Sequence, residues 1–145
     1  MSLCGCNARR VVSGTLNSKT GHLLLVPQGH QRALDFQNFL EIVRWHYRSQ
    51  WVVMILDEDS SHTAFDSQEC ASELGIELWW LPKRSPELNP MERLWQAGKK
   101  EVCANYQHPD IDIQTQEFIG YLLALSPWQT LVTSGVTSDK FWLLQ

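Results

Sequence analysis

No run of apolar residues in this 145-residue sequence is long. The longest, Leu23 to Val26 and Trp51 to Leu56, have the length of a strand and fall well short of the roughly 18 residues that cross a bilayer. The opening residues, MSLCGCNARR, lack the apolar stretch of a secretory signal. Both absences lead to the expectation of a cytoplasmic protein with no membrane partner. Cysteine is scarce: the four, at positions 4, 6, 70 and 103, fit neither a paired CxxC zinc site nor a disulfide framework. They read as reduced thiols, and Cys4 with Cys6 alone is a meagre ligand set for a soft metal. Positive charge is also in short supply. A net charge of −4 and a pI near 5.7 argue against a uniformly basic surface of the kind that neutralises phosphates, although basic residues do pair up at 83–84 and 99–100.

What is present is apolar material for one core: 43% hydrophobic residues, seven of them tryptophan, in a length suited to a single domain over 1–145. Arg10 to Asn17, the Lys-Thr-Gly turn signal and the apolar HLLLV ending at Pro27 read as a β-hairpin. From Asp35 the period changes. Phe36, Phe39, Leu40, Val43 and Tyr47 form the stripe of an amphipathic helix, with Asp35 available as its N-cap. Trp51 to Leu56 is a continuous β-branched and aromatic run, too short for a helix, of the kind found when both faces of a sheet are covered. Thr63 to Leu74 reads as a helix stopped by Gly75, and Ile76 to Leu81 as a further strand stopped by Pro82. A Pro-rich loop then leads to a helix from Met91 to about Tyr106 with Leu94, Trp95 and Val102 inward. Another helix is expected over Thr115 to Leu125, while the tail from Ser126 has no clear pattern. The fold class is α/β with a mixed sheet flanked by helices.

Two acids occupy positions where such folds place active sites. Asp57 follows the carboxyl end of a buried strand, and Glu92 lies in the first turn of the helix after the Pro-rich loop. Phosphoryl transfer with two divalent ions needs carboxylates contributed by different elements, and oxygen ligands suit Mg2+ or Mn2+. Each acid also has a plain structural reading, Asp57 as a cap on the next turn and Glu92 as a charge favoured by the helix dipole.

The flanking residues bear on that choice. VVMILDEDSSH followed by GIELWWLPKRSPELNPMERLW resembles the signature of bacterial insertion-sequence transposases of the mariner superfamily, whose catalytic domains belong to the DDE endonucleases. Asp57, His62, Leu81, Pro82, Ser85 to Pro90, Glu92, Arg93 and Trp95 fall on the signature's positions, and 34 residues separate Asp57 from Glu92, the spacing of this branch. The resemblance covers about residues 9–105. It implies a ribonuclease-H-like fold, Asp57 and Glu92 as catalytic metal ligands for Mg2+ (or Mn2+), cleavage of DNA at transposon ends, and transfer of the freed strand end to target DNA.

This sequence departs from the signature in two ways. The first aspartate of a DDE site belongs to a strand ahead of the hairpin, and none of the nine residues before Arg10 is acidic. The expectation is therefore an N-terminally truncated catalytic domain without that strand, inactive alone. An upstream polypeptide would supply the aspartate and a helix-turn-helix; a homodimer is a further partner expectation. The alternative is a non-catalytic remnant serving as a DNA- or protein-binding module. Glu58 stands where the family has Asn; pointing into the site it would raise the pKa of Asp57, and pointing away it is a solvated charge. Among the other residues, His62 is read as a phosphate contact or a helix cap, and Asn89 and Pro90 as supports for the helix bearing Glu92. Lys83, Arg84, Arg93, Lys99 and Lys100 are read as DNA contacts or solvated charges. Trp45, Trp79, Trp80 and Trp95 are expected in the core.

Overall fold

A computed structural model describes residues 1–5, 8–103 and 110–144, with side chains over 1–3, 9–103 and 110–143. The chain divides into two compact units, one of Met1–Gly29 with Pro90–Gln145 and one of His30–Asn89.

In the first unit the expected hairpin is present. Strands β2 (Ala8–Leu16) and β3 (Leu23–Gln28) pair antiparallel, from Leu16 opposite Leu23 to Val11 opposite Gln28. Asn17 sets the turn: its Oδ1 accepts from the amides of Lys19 and Thr20 at 3.0 and 3.1 Å, as an Asx turn does. The strand runs through Pro27 rather than ending there. β3 lies at the sheet edge, where a residue without an N–H is tolerated. A short strand, β1 (Ser2–Gly5), pairs antiparallel with the other side of β2, in a segment to which the sequence assigns no structure. It carries no acid, so it is not the aspartate-bearing strand that the resemblance implies.

Helices α4 (Pro90–Val102), α5 (Ile111–Ala124) and α6 (Pro127–Ser134) complete this unit; α4 packs on β2, α5 and α6, and α5 on all three strands. The expected inward residues Leu94, Trp95 and Val102 are buried, with the Trp95 ring stacked on Phe118 at 6.0 Å. The proposed extension of α4 to Tyr106 lies outside the described residues. Helix α5 begins four residues ahead of the expected Thr115, at Ile111, because Asp110 caps it: its Oδ1 accepts from Asp112 N at 2.7 Å. The patternless tail includes α6, with a reciprocal cap between Ser126 and Gln129 at its start and Gly135 in the left-handed conformation at its end.

The second unit comprises helix α1 (Ala33–His46), strand β4 (Val52–Leu56), helices α2 (Ser60–Thr63) and α3 (Phe65–Glu73), and strand β5 (Ile76–Trp80). β4 and β5 pair in parallel, Val52 opposite Ile76 through Leu56 opposite Trp80, the geometry that a helical crossover allows. Asp35 is not the N-cap of α1. It sits one turn in, and its carboxylate reaches back to accept from the main-chain N–H and the guanidinium of Arg32, both at 3.0 Å. The expected helix over Thr63 to Leu74 is broken at Ala64, whose extended backbone separates α2 from α3.

The expectation that β4 is covered on both faces is not met. Side chains alternate across a strand, so Val52, Met54 and Leu56 share a face with Ile76, Leu78 and Trp80, where Leu56 and Ile76 are buried. The opposite face carries Val53 and Trp79, both exposed. Two of the four tryptophans expected in the core are therefore outside it. Trp79 is 50% exposed and its indole N–H donates to Glu77 Oε1 at 2.8 Å. Trp45 is 69% exposed on the outer side of α1, under the Arg48 guanidinium at 5.3 Å. Trp80 is half-buried, and only Trp95 of the four is in the core.

Candidate active site

Asp57 is held where the sequence places it, immediately after the last residue of β4. The ladder is carried one step beyond β5 by the Leu81 amide, which donates to the Leu56 carbonyl at 2.8 Å, so the backbone leading into Asp57 is anchored. Three residues on, the chain turns into α2, a single helical turn capped by Asp59: its Oδ1 accepts from the Ser61 amide at 2.9 Å and the Ser61 hydroxyl at 2.6 Å. Ser67 Oγ donates to the Ser61 carbonyl at 2.7 Å, fastening α2 to α3. This short turn brings His62 back over the strand end.

His62 is neither a helix cap nor a bare surface imidazole. Its Nδ1 lies 3.1 Å from the Asp57 carbonyl oxygen and 2.9 Å from Asp57 Oδ1. Both partners are acceptors, so Nδ1 carries the proton. The imidazole packs on Phe36 of α1, ring centroids 4.4 Å apart. The His62 side chain is 21% exposed and that of Asp57 60%. The hydrogen bond from His62 holds the Asp57 carboxyl below the usual carboxylate range, against a smaller opposing effect of burial. Burial by itself would lower the His62 pKa; the carboxylate and carbonyl of Asp57, with the charge of Asp59, outweigh it and raise the pKa. Glu58 is exposed, in keeping with a solvated charge.

Glu92 belongs to the other unit. It is half-buried in the first turn of α4, which Pro90 opens, and the neighbouring Met91, Leu94 and Trp95 are buried on the packed side of that helix. Proline at the first helical position has no N–H to leave unpaired, and the helix N-terminus favours a carboxylate. Asn89 precedes it with extended backbone.

The five basic residues have different surroundings. Lys83 and Arg84 are exposed in the loop after β5, with Arg84 at φ 58°, a left-handed conformation that costs a side-chain-bearing residue about 1–2 kcal/mol. Lys99 and Lys100 are exposed on the last turns of α4. Arg93 runs along the end of α6: a Cβ added to Gly135 would lie 2.7 Å from Arg93 Nη1. That location, beside the terminal carbonyls of a helix, is one where a guanidinium is electrostatically favoured.

The contact made by Phe36 and the capping role of Asp59 are what sequence reasoning missed. Phe36 is legible only as one position on an apolar stripe. Asp59 is two residues before Ser61 in DSS, a capping signal obscured by the adjacent acids Asp57 and Glu58. Among the described residues no three His, Cys, Asp or Glu side chains form a group that could hold a metal ion. Cys70 and Cys103 are free thiols; the side chains of Cys4 and Cys6 lie outside the described residues. No described helix is long and apolar enough to cross a membrane.

The architecture resembles that of the catalytic domain of Mos1 mariner transposase, whose crystal structure matches 92% of this chain and 72% of that one at a TM-score of 0.73 and 15% identity. It is a ribonuclease-H-like mixed α/β fold, as the sequence led one to expect. That domain has also been solved with Raltegravir and Mg. A Mos1 paired-end complex with the left transposon end matches 87% of this chain and 39% of that one, at a TM-score of 0.68 and 15% identity. The family of DDE superfamily endonucleases matches residues 5–113, and the chain belongs to that family. Among curated relatives, the insertion element IS630 uncharacterized 39 kDa protein of Shigella sonnei is 28% identical over 105 residues, 71% of this chain. The match spans about a third of that relative's length, 31%.

Proposed function

We propose that this chain is part of the catalytic domain of an insertion-sequence transposase, acting in DNA cleavage and strand transfer, with Asp57 and Glu92 as two of its three carboxylate ligands for Mg2+ or Mn2+. The observation that carries the reading is the placement of Asp57 at the carboxyl end of β4, ionised and held by His62, inside the stretch matched by the endonuclease family. The donor chemistry fits: both groups are carboxylates, the ligands that hard divalent cations take. A bound ion supplies Lewis acidity at the attacking and leaving oxygens of a phosphodiester. The chain's own part is to keep Asp57 deprotonated and oriented through His62, to present Glu92 from a helix start fixed by Asn89 and Pro90, and to meet DNA phosphates with Lys83, Arg84, Arg93, Lys99 and Lys100.

The third carboxylate is proposed to come from a polypeptide segment outside these residues. Ahead of β4 the only acids are Asp35 and Glu41. Both lie on α1, and Asp35 is committed to Arg32. β4 pairs only with β5 among the described residues, which leaves an edge for an added strand. Mg2+-dependent cleavage of element-end DNA tests the reading, with the chain alone and with an upstream segment supplied. Cleavage is expected only with the segment and is lost in Asp57→Ala and Glu92→Ala. Cleavage that survives both substitutions overturns the site assignment, and cleavage by the chain alone overturns the need for a third carboxylate.

A further inference from the structure

We propose that the turn joining α1 to β4 is a stacking platform for unpaired nucleotides of a DNA strand, built by Trp45, Arg48 and Trp51 and separate from the carboxylate site. Trp51 is 82% exposed, the most open large apolar side chain among the described residues. Trp45 is 69% exposed even with the Arg48 guanidinium 5.3 Å from its ring centre. Single exposed apolar side chains are ordinary on a protein surface. Two open indoles within seven residues, one with a cation on its face, are not accounted for by packing.

Charge indicates which partner fits. The unit His30–Asn89 is rich in acids, yet from Ile42 to Leu56 the sequence holds Arg44, His46 and Arg48 and no aspartate or glutamate; Glu41, one turn back on α1 from Trp45, is the nearest acid along the chain. Arg44 is engaged with the protein itself. It donates to the carbonyls of Tyr47, of Gln50 at 2.6 Å and of Leu74 at 3.4 Å, and the Gln50 amide donates to the Tyr47 carbonyl at 3.0 Å. These bonds fix the turn, so both indoles leave from anchored backbone and little ordering is left for binding to cost. Arg48 is exposed and lies beside an open ring. A base stacked on an indole with its phosphate against a neighbouring guanidinium is how proteins hold single strands without reading sequence. A duplex keeps its bases stacked on one another and offers such rings only its backbone. An apolar protein partner would be met by aliphatic side chains around the rings, whereas the residues between Arg48 and Trp51 are Ser49 and Gln50, both exposed. Trp51 and Asp57 flank β4 at opposite ends, about 20 Å apart along extended chain, so a strand on the platform is held away from the carboxylate.

Fluorescence anisotropy of a short labelled oligothymidine tests this on the full chain, in EDTA so that no metal takes part. Wild type is expected to bind it more tightly than a duplex of equal length. Trp45→Ala and Trp51→Ala are each expected to weaken binding about five- to 150-fold, the range for one stacked base, with unchanged circular dichroism because both side chains are open. Arg48→Gln should lower the logarithmic salt slope by about 0.7, one phosphate's share on a single strand. Trp128→Ala is the control: that indole is 66% exposed but has no lysine or arginine near it in sequence, from 101 to 139, and its loss should change nothing. Absence of oligothymidine binding overturns the proposal, as does binding that survives both Trp45→Ala and Trp51→Ala or falls equally in Trp128→Ala. Tighter binding of an oligouridine overturns DNA as the strand, and self-association that disappears in Trp45→Ala while no oligonucleotide binds overturns it in favour of a second copy. Asp57→Ala and Glu92→Ala should leave this binding intact; its loss there would place the strand at the carboxylates and overturn the separate platform, while the cleavage experiment above fails or succeeds independently.

Discussion

The packing of α4, the helix that carries Glu92, can be probed at a single methyl group. Gly98 lies on its buried side, and a Cβ built there would press into the Phe118 ring, meeting Cδ2 and Cζ each at 3.0 Å and Cε2 closer still. Two effects oppose one another in Gly98→Ala. Alanine is better than glycine inside a helix by about 1 kcal/mol. Overpacking a filled core costs about 1–3 kcal/mol, and the upper end applies because Phe118 is fully buried and has no open side to move into. The expected net change is a destabilisation of about 2 kcal/mol, or roughly 4–8 °C in Tm for a chain of this size. Gly120 on α5 supplies the control. It is exposed and nothing lies within 4 Å of an added Cβ, so Gly120→Ala is expected to gain the propensity term unopposed, about 1 kcal/mol. Thermal unfolding followed by circular dichroism reads both. Gly98→Ala/Phe118→Leu should recover part of the loss by making room. A stabilised Gly98→Ala, or two glycine variants that shift in the same direction, would refute the close packing of α4 on α5.

Three further outcomes follow. Trp95→Ala should cost about 3–5 kcal/mol, whereas Trp45→Ala on the outer side of α1 should stay within about 0.5 kcal/mol; similar losses in denaturant unfolding would contradict the assignment of core and surface. Gly135→Ala combines a left-handed φ of 85° with pressure on Arg93, so a loss of about 1–2 kcal/mol is expected, and an unchanged midpoint would contradict that contact. The Asp57–His62 pair has a pH signature worth about 1 kcal/mol at its partly exposed position. The depressed Asp57 pKa makes its contribution present above the normal carboxylate range and lost as pH falls through the lowered value. The raised His62 pKa makes its contribution complete below its ordinary value and lost as pH rises through the raised one. Stability against pH should therefore fall on both sides of a mildly acidic plateau, and Asp57→Asn should flatten both limbs; an unaltered profile would remove the pair from the account.

Much of the element order is legible because each element has a local signature. The hairpin has its turn residues, α1 its stripe, and β4 and β5 their β-branched and aromatic runs. Legibility fails where a position depends on a distant partner. Trp79 and Trp95 are the same residue type in apolar surroundings, yet one is open and the other packed, and only the pairing and parity of β5 decide which. The break at Ala64 was equally hidden, since Ser60 to Glu73 contains no proline or glycine to mark it. Asp57 and Glu92 stand out as candidates from their flanks and spacing. The contact between His62 and Asp57 does not, because it depends on the one-turn return of α2, and the Phe36 contact depends on a helix more than twenty residues upstream.

The division of the chain also sets an order of events during synthesis. The unit bearing Asp57, His62 and Phe36 is one uninterrupted segment, His30–Asn89, whereas the strands of the other unit are made first and the helices that cover them last. At about 5–20 residues per second, the intervening sixty residues take about 3–12 s to emerge. Throughout that interval the hairpin lacks its helices while the later segment is already complete, so the hydrogen bonds between His62 and Asp57 can form before the hairpin is covered.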